Sequence, residues 1–100
     1  MPELNLTPEC LAQVKAILKQ HVPESEVWAY GSRVKGNSHQ ASDLDLVIRN
    51  PNDLEQPASH LVDLKQAFID SNLPILIDLI DWAYLPQSYR EEIEKQHCFM

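Results

Sequence analysis

Residues 43–49 read Asp-Leu-Asp-Leu-Val-Ile-Arg, and this run restricts the fold more than any other in the chain. Apolar and polar residues alternate, which predicts a strand whose side chains point to opposite faces in turn. Asp43 and Asp45 then share one face while Leu44 and Leu46 share the other. Such a strand belongs to a sheet covered by helices on the leucine side and reached by water at the carboxylates. Two carboxylates held side by side repel one another unless a cation lies between them. Hard oxygen ligands on one face suit Mg²⁺, which keeps part of its water shell and takes phosphate oxygens as further ligands.

Around this strand the periodicity supplies further elements. Thr7-Pro8-Glu9 is a helix start, with Thr as cap, Pro at the first helical position and Glu at the positive end of the dipole. Leu11, Val14, Ile17 and Leu18 recur at helical spacing, and Pro23 limits this helix to about His21. Glu26 to Tyr30 is short and rich in β-formers, so it reads as a strand. A second amphipathic helix runs from Pro57 or Ala58 to about Asp70, with Leu61, Leu64 and Phe68 as its core positions. Ile75 to Asp81 reads as a third, strongly apolar strand. A last helix begins at Leu85-Pro86-Gln87-Ser88, with Tyr89, Ile93 and Gln96 along one side. The order α-β-β-α-β-α predicts an α/β (α+β) fold in which a small mixed sheet packs with helices. Residues 1–100 are expected to form a single domain.

Composition narrows the function. The net charge is −7 and the eight Lys and Arg are spread thinly. Affinity carried by nucleic-acid phosphates needs several aligned cations, so direct binding of nucleic acid is not expected. An acidic chain that binds an anionic nucleotide needs a cation between the two, which again points to a metal. Cys10 and Cys98 lie far apart without metal-type spacing and read as reduced thiols. The N-terminus has no charged start followed by an apolar core, and no apolar run reaches the roughly 18 residues of a membrane span. A cytoplasmic protein is expected.

The stretch from Tyr30 to Ile48 carries the chemistry. Gly31 and Ser32 directly follow a strand. Glycine there lets the backbone approach a ligand closely, and backbone N–H groups at such a turn cradle phosphate oxygens. The Ser32 hydroxyl adds a donor. A third carboxylate would complete an arrangement that clamps both oxygens of an in-line phosphoryl displacement. Asp78 and Asp81 are the candidates, and three residues apart they face opposite ways on a regular strand. Asp78 sits mid-strand among Ile77, Leu79 and Ile80, where an unpartnered carboxylate is expensive. Asp81 falls at the strand end, where water is expected to reach it. Asp78 is therefore preferred, with Asp81 as the fallback.

Other features have plainer readings. His21, His39, His60 and His97 show no ligand spacing and read as surface residues, though His39 lies in the loop after Gly31-Ser32. Trp28 and Trp82 read as core or partner-facing aromatics, and Glu91, Glu92 and Glu94 as a solvated helix face. Cys98-Phe99-Met100 is apolar and docks either on the domain or on a partner.

Gly31-Ser32-Arg33, Gly36 and Ser42-Asp43-x-Asp45-Leu46 resemble the signature of the minimal nucleotidyltransferases of the polymerase-β superfamily. Val27 to Tyr30 before it and Ile77 to Trp82 after it look like that family's flanking strands, so the resemblance covers most of the chain. Val34-Lys35 stands where Ala-Arg is common, with positive charge kept at Lys35. The resemblance implies a polymerase-β palm-like fold and Mg²⁺-dependent use of ATP. In it, Gly31, Ser32, Arg33 and Ser42 bind the nucleotide, and Asp43, Asp45 and Asp78 act as metal ligands and catalytic carboxylates. Asp78 would also serve as the base for the attacking hydroxyl, or as that base's orienter. Arg33 and Lys35 would contact phosphates or an acidic patch on a partner. The resemblance further implies a toxin–antitoxin pair with a HEPN-domain RNase toxin, which the nucleotidyltransferase silences by moving AMP from ATP to a toxin tyrosine. The small size agrees, because a domain without an acceptor-binding subdomain needs a partner to present the hydroxyl.

Two other functions compete. One is a non-catalytic antitoxin that blocks the toxin by complex formation, although pure binding gives no reason to keep repelling carboxylates. The other is a nucleotidyltransferase for a small-molecule hydroxyl, which leaves little room for a pocket unless the chain forms a homodimer rather than a hetero-oligomer with the toxin. A nucleic-acid polymerase lacks both the basic surface and the extra domains.

Overall fold

The computed structural model describes residues 6–31, 43–57 and 60–100. Helix α1 spans Pro8–His21, strand β1 Glu26–Tyr30, strand β2 Leu44–Arg49, helix α2 Leu61–Ile69 and strand β3 Ile77–Asp81. A 3₁₀ turn follows at Trp82–Tyr84, then helix α3 at Gln87–Lys95 and a two-residue strand β4 at Cys98–Phe99. The four strands form one sheet in the order β3-β2-β1-β4. β1 is antiparallel to both β2 and β4, while β2 and β3 are parallel. The expected mixed sheet packed with helices is therefore the observed fold.

Local chemistry accounts for the boundaries. The Thr7 side chain accepts the Cys10 N–H at 3.2 Å, and Pro8 occupies the first helical position. One of the four orphan donors of the helix start is satisfied in this way. α2 and β3 are shorter than the periodicity predicts: the helix begins at Leu61, and the strand begins at Ile77 rather than Ile75. Asp43 lies just outside β2, whose first residue, Leu44, donates its N–H to the Leu76 carbonyl at 2.9 Å.

The alternation along the strands divides the core in two. On one face Val27, Ala29, Leu44, Leu46, Ile48 and Leu79 are buried with Val14 and Leu18 of α1 and with Leu64 and Phe68 of α2. Leu44, Leu46 and Ile48 are fully buried. The opposite face carries Trp28, Val47 and Trp82 beneath Ile93 of α3, with Tyr30, Ile80 and Leu85 packed around them. The two tryptophans thus resolve as core residues. Arg49 lies against both rings, its guanidinium carbon 3.7 Å from the Trp28 centroid and 4.4 Å from that of Trp82.

At this end of the molecule one expectation is corrected and one open alternative is decided. His97 is not a simple surface residue: its ring stacks on Trp28 at 3.9 Å between centroids, and its Nδ1 lies 2.9 Å from the Ile93 carbonyl oxygen. Cys98 and Phe99 dock on the domain itself, by pairing with Ala29 and Trp28 of β1. Glu91, Glu92 and Glu94 are exposed, as expected.

Candidate functional site

The register lines up three polar side chains on the α3 face of the sheet. Tyr30 pairs with Asp45, and Asp45 pairs with Asp78. Directly paired residues on neighbouring strands point to the same face, so a phenol and two carboxylates stand in a row across β1, β2 and β3. Asp43, two residues before Asp45, is exposed at the entrance to β2. Asp45 is half-buried and Asp78 is exposed.

Electrostatics couple these groups. Burial raises the Asp45 carboxyl above its ordinary value, and the charges of Asp78 and then Asp43 raise it further. Burial likewise raises the Tyr30 hydroxyl, with Asp45, Asp78 and Tyr89 adding to the effect. Tyr30 therefore stays a neutral hydrogen-bond donor beside the carboxylates. It carries no role in the sequence reading, although its place on the strand just before Gly31 marks it as a neighbour of the turn.

Gly31 turns the chain away from this row with φ +84°, a conformation open to glycine and rare for other residues. A Cβ at Gly31 would also collide with Oδ2 of Asp45. The sequence reading has the Gly31 backbone approaching a ligand; what the structure sets against it is the Asp45 carboxylate. Ser32, Arg33 and Ser42, together with Lys35, Gly36 and His39, lie outside the described residues.

Asp81 departs from expectation. It is 6% exposed, not open to water, and its register partner is the buried Ile48. Its Oδ1 accepts the Ala83 N–H at 3.2 Å and caps the 3₁₀ turn. The turn is held from its other side by Arg90, which donates to the carbonyls of Trp82 and Ala83 and pairs with Glu55 at 2.7 Å. Asp81 is thus separated from the Tyr30–Asp45–Asp78 row by the thickness of the sheet.

Among the described residues, no three His, Cys, Asp or Glu side chains are gathered closely enough to hold an ion between them. Asp45 nonetheless feels the charges of Asp78 and Asp43, and an all-carboxylate donor set is the hard-oxygen chemistry that Mg²⁺ takes. The residues fit such an ion in kind.

A groove of about 450 Å³ adjoins the row, between Tyr30 and Gly31 at the end of β1 and the Ser88, Tyr89, Glu92, Ile93 and Gln96 side of α3. A larger hollow of about 620 Å³ lies at the other end of β1, near Glu26 and Val27, away from the carboxylates.

Comparison with known proteins identifies the class to which this sheet and its carboxylate row belong. The model of the nucleotidyltransferase domain family matches residues 11–98. The chain belongs to that family and is a nucleotidyltransferase. It is 47% identical over 95 residues to the probable protein adenylyltransferase MntA of Haemophilus influenzae, covering 93% of this chain and 80% of that protein. Two solved structures share the fold at 18% identity and a TM-score of 0.68. One is a toxin–antitoxin with AMP-PNP, covering 94% of this chain and 72% of that one. The other is the toxin–antitoxin MntA-HpeT with a Y104A mutation, covering 90% and 70%.

Proposed function

We propose that this chain is a Mg²⁺-dependent protein adenylyltransferase that moves AMP from ATP to a tyrosine hydroxyl of a partner HEPN toxin and so acts as its antitoxin, working as a single minimal domain. The observation that carries this reading is the row Tyr30–Asp45–Asp78 beside the positive-φ turn at Gly31. The 47% identity to a probable protein adenylyltransferase supports the acceptor class. The likeness to toxin–antitoxin structures supports the partner.

In this reading Gly31 and Ser32 offer backbone and hydroxyl donors to the triphosphate. Asp43, Asp45 and Asp78 would hold Mg²⁺, which when bound neutralises charge on the phosphates and on the departing pyrophosphate. Arg33 and Lys35 add positive charge to the phosphate side, because Arg49 and Arg90 are taken up by the tryptophans and the 3₁₀ turn. The acceptor's phenol oxygen attacks the α-phosphorus. The bond from that phosphorus to the bridging oxygen breaks, and pyrophosphate leaves with the electron pair. The phenol proton passes to Asp78, directly or through a water that Asp78 orients. Tyr30 stays protonated beside Asp45.

The test has two parts. Mg²⁺-ATP titrated calorimetrically into the wild type should bind, and binding should vanish in Asp43→Asn/Asp45→Asn. Incubation with the toxin and α-labelled ATP should place label on a toxin tyrosine, with none transferred by Asp43→Ala. Toxin neutralisation that survives intact in Asp43→Ala would overturn the enzymatic reading in favour of blockade by complex formation.

A further inference from the structure

We propose that the acceptor protein docks on the outer edge of β3, as an extended segment that joins the sheet as a further strand and sets its tyrosine beside Asp78. The proposal rests on the adenylyltransferase reading above and adds how the acceptor is held. β3 stands at the end of the sheet order, with β2 on its inner side. The two run parallel, with Asp45 opposite Asp78. Leu44 donates its N–H to the Leu76 carbonyl, so Leu76, Asp78 and Ile80 turn their backbone groups toward β2. The residues between them turn theirs the other way. Ile77 and Leu79 therefore direct N–H and C=O away from the sheet, and among the described residues no turn or loop backbone bonds to either. An extended peptide added to such an edge satisfies these groups by main-chain hydrogen bonds.

The edge is also poorly guarded. Sheet edges are commonly blunted by Lys, Pro or a bulge. β3 reads Ile-Asp-Leu-Ile-Asp, and its register with β2 is unbroken. Its exposed residue is Asp78. Leu76, just before the strand, and Tyr84, in the 3₁₀ turn after it, are each 73% exposed. Large apolar side chains in water at both ends of an edge suit a segment with apolar residues of its own. Register then decides what that segment does. The residue opposite Asp78 shares its face, so it extends the row Tyr30–Asp45–Asp78 by one place. In an antiparallel arrangement this is a pair without direct hydrogen bonds, the closer of the two kinds. A tyrosine at that place brings its phenol to the carboxylate that receives the proton.

Hydrogen exchange on the isotopically labelled wild type, read by NMR with and without the toxin, tests the pairing. Toxin binding should slow the amides of Ile77 and Leu79 about tenfold, while those of Asp78 and Ile80, which face β2, change little. Ile77→Pro removes one outward N–H and spares the β2 ladder. It should raise the KM for the toxin about tenfold with kcat and Mg²⁺-ATP binding unchanged. Ile77 is partly buried against the core, so Leu76→Asp, at an exposed position, serves as a second variant with the same expected outcome. Transfer to the toxin with unaltered exchange at Ile77 and Leu79, and with wild-type KM in both variants, would overturn the edge and leave the enzyme reading standing. So would slowed exchange in the chain alone that depends on its concentration and that the toxin does not displace, since the edge would then belong to a second copy. A wild type that transfers no AMP to the toxin would remove the functional reading, and the proposal with it.

Discussion

At the scale of single residues, Gly31 and Asp45 are set against each other. Gly31 has positive φ and no room for a Cβ because the Asp45 carboxylate stands there. Gly31→Ala should destabilise the fold by more than about 1 kcal/mol, read as a lower urea midpoint, and should also abolish nucleotide binding. Asp45 makes the opposite bargain. Its carboxyl sits above the ordinary value of 3.8, so the folded chain holds that proton more tightly than the unfolded one. The associated stability is present below that value and is lost as pH rises through the raised one. In chelator-treated protein, Asp45→Asn should therefore be more stable than wild type at neutral pH, the gap closing as the solution is acidified. Denaturation midpoints measured across that range would check it. The placement of Leu44 and Leu46 against Asp45 was legible because alternation fixes a strand's faces. The environment of Asp81 was not. A carboxylate at a strand end looks wet in sequence, and only the chain's turn into Trp82–Tyr84 buries it.

At the scale of elements, signals with many repeats were legible and short ones were not. α1 was bounded at both ends by cap and proline chemistry, and Thr7→Ala should cost about 1 kcal/mol, measurable by urea unfolding. β1 was found whole because Val-Trp-Ala-Tyr is β-rich from end to end. β4 has only two residues, too few to show a period, and its pairing depends on β1 lying alongside. The stack of His97 on Trp28 was invisible for the same reason, since the two residues are far apart in sequence. His97→Ala should uncover Trp28 and shift its fluorescence emission to longer wavelength, with far-UV circular dichroism little changed.

At the scale of the whole molecule, two cores share one sheet. Leu46 and Val47 are neighbours in β2 and are both fully buried, one on each side. Neither side can loosen without disturbing the strand that serves both. Both tryptophans sit on the α3 side, whereas α1 and α2 cover the other. Tryptophan fluorescence and helical circular dichroism should therefore report one coincident urea transition; separated midpoints would show two independently melting layers. The mixed sheet itself was legible from element order. The pairing of β2 with β3 in parallel was not, because no local pattern specifies which strands become neighbours.

That pairing has a consequence for how errors are tolerated. A slip of β3 by one residue along β2 would carry Asp78 into the apolar core under α1 and α2 and turn Leu79 to the α3 face, at the place Asp78 now holds. The apolar side of the sheet thus proofreads the polar side. A chain that has buried Leu79 correctly has already brought Asp78 opposite Asp45, and a misaligned chain fails as a folded protein before it can fail as a catalyst.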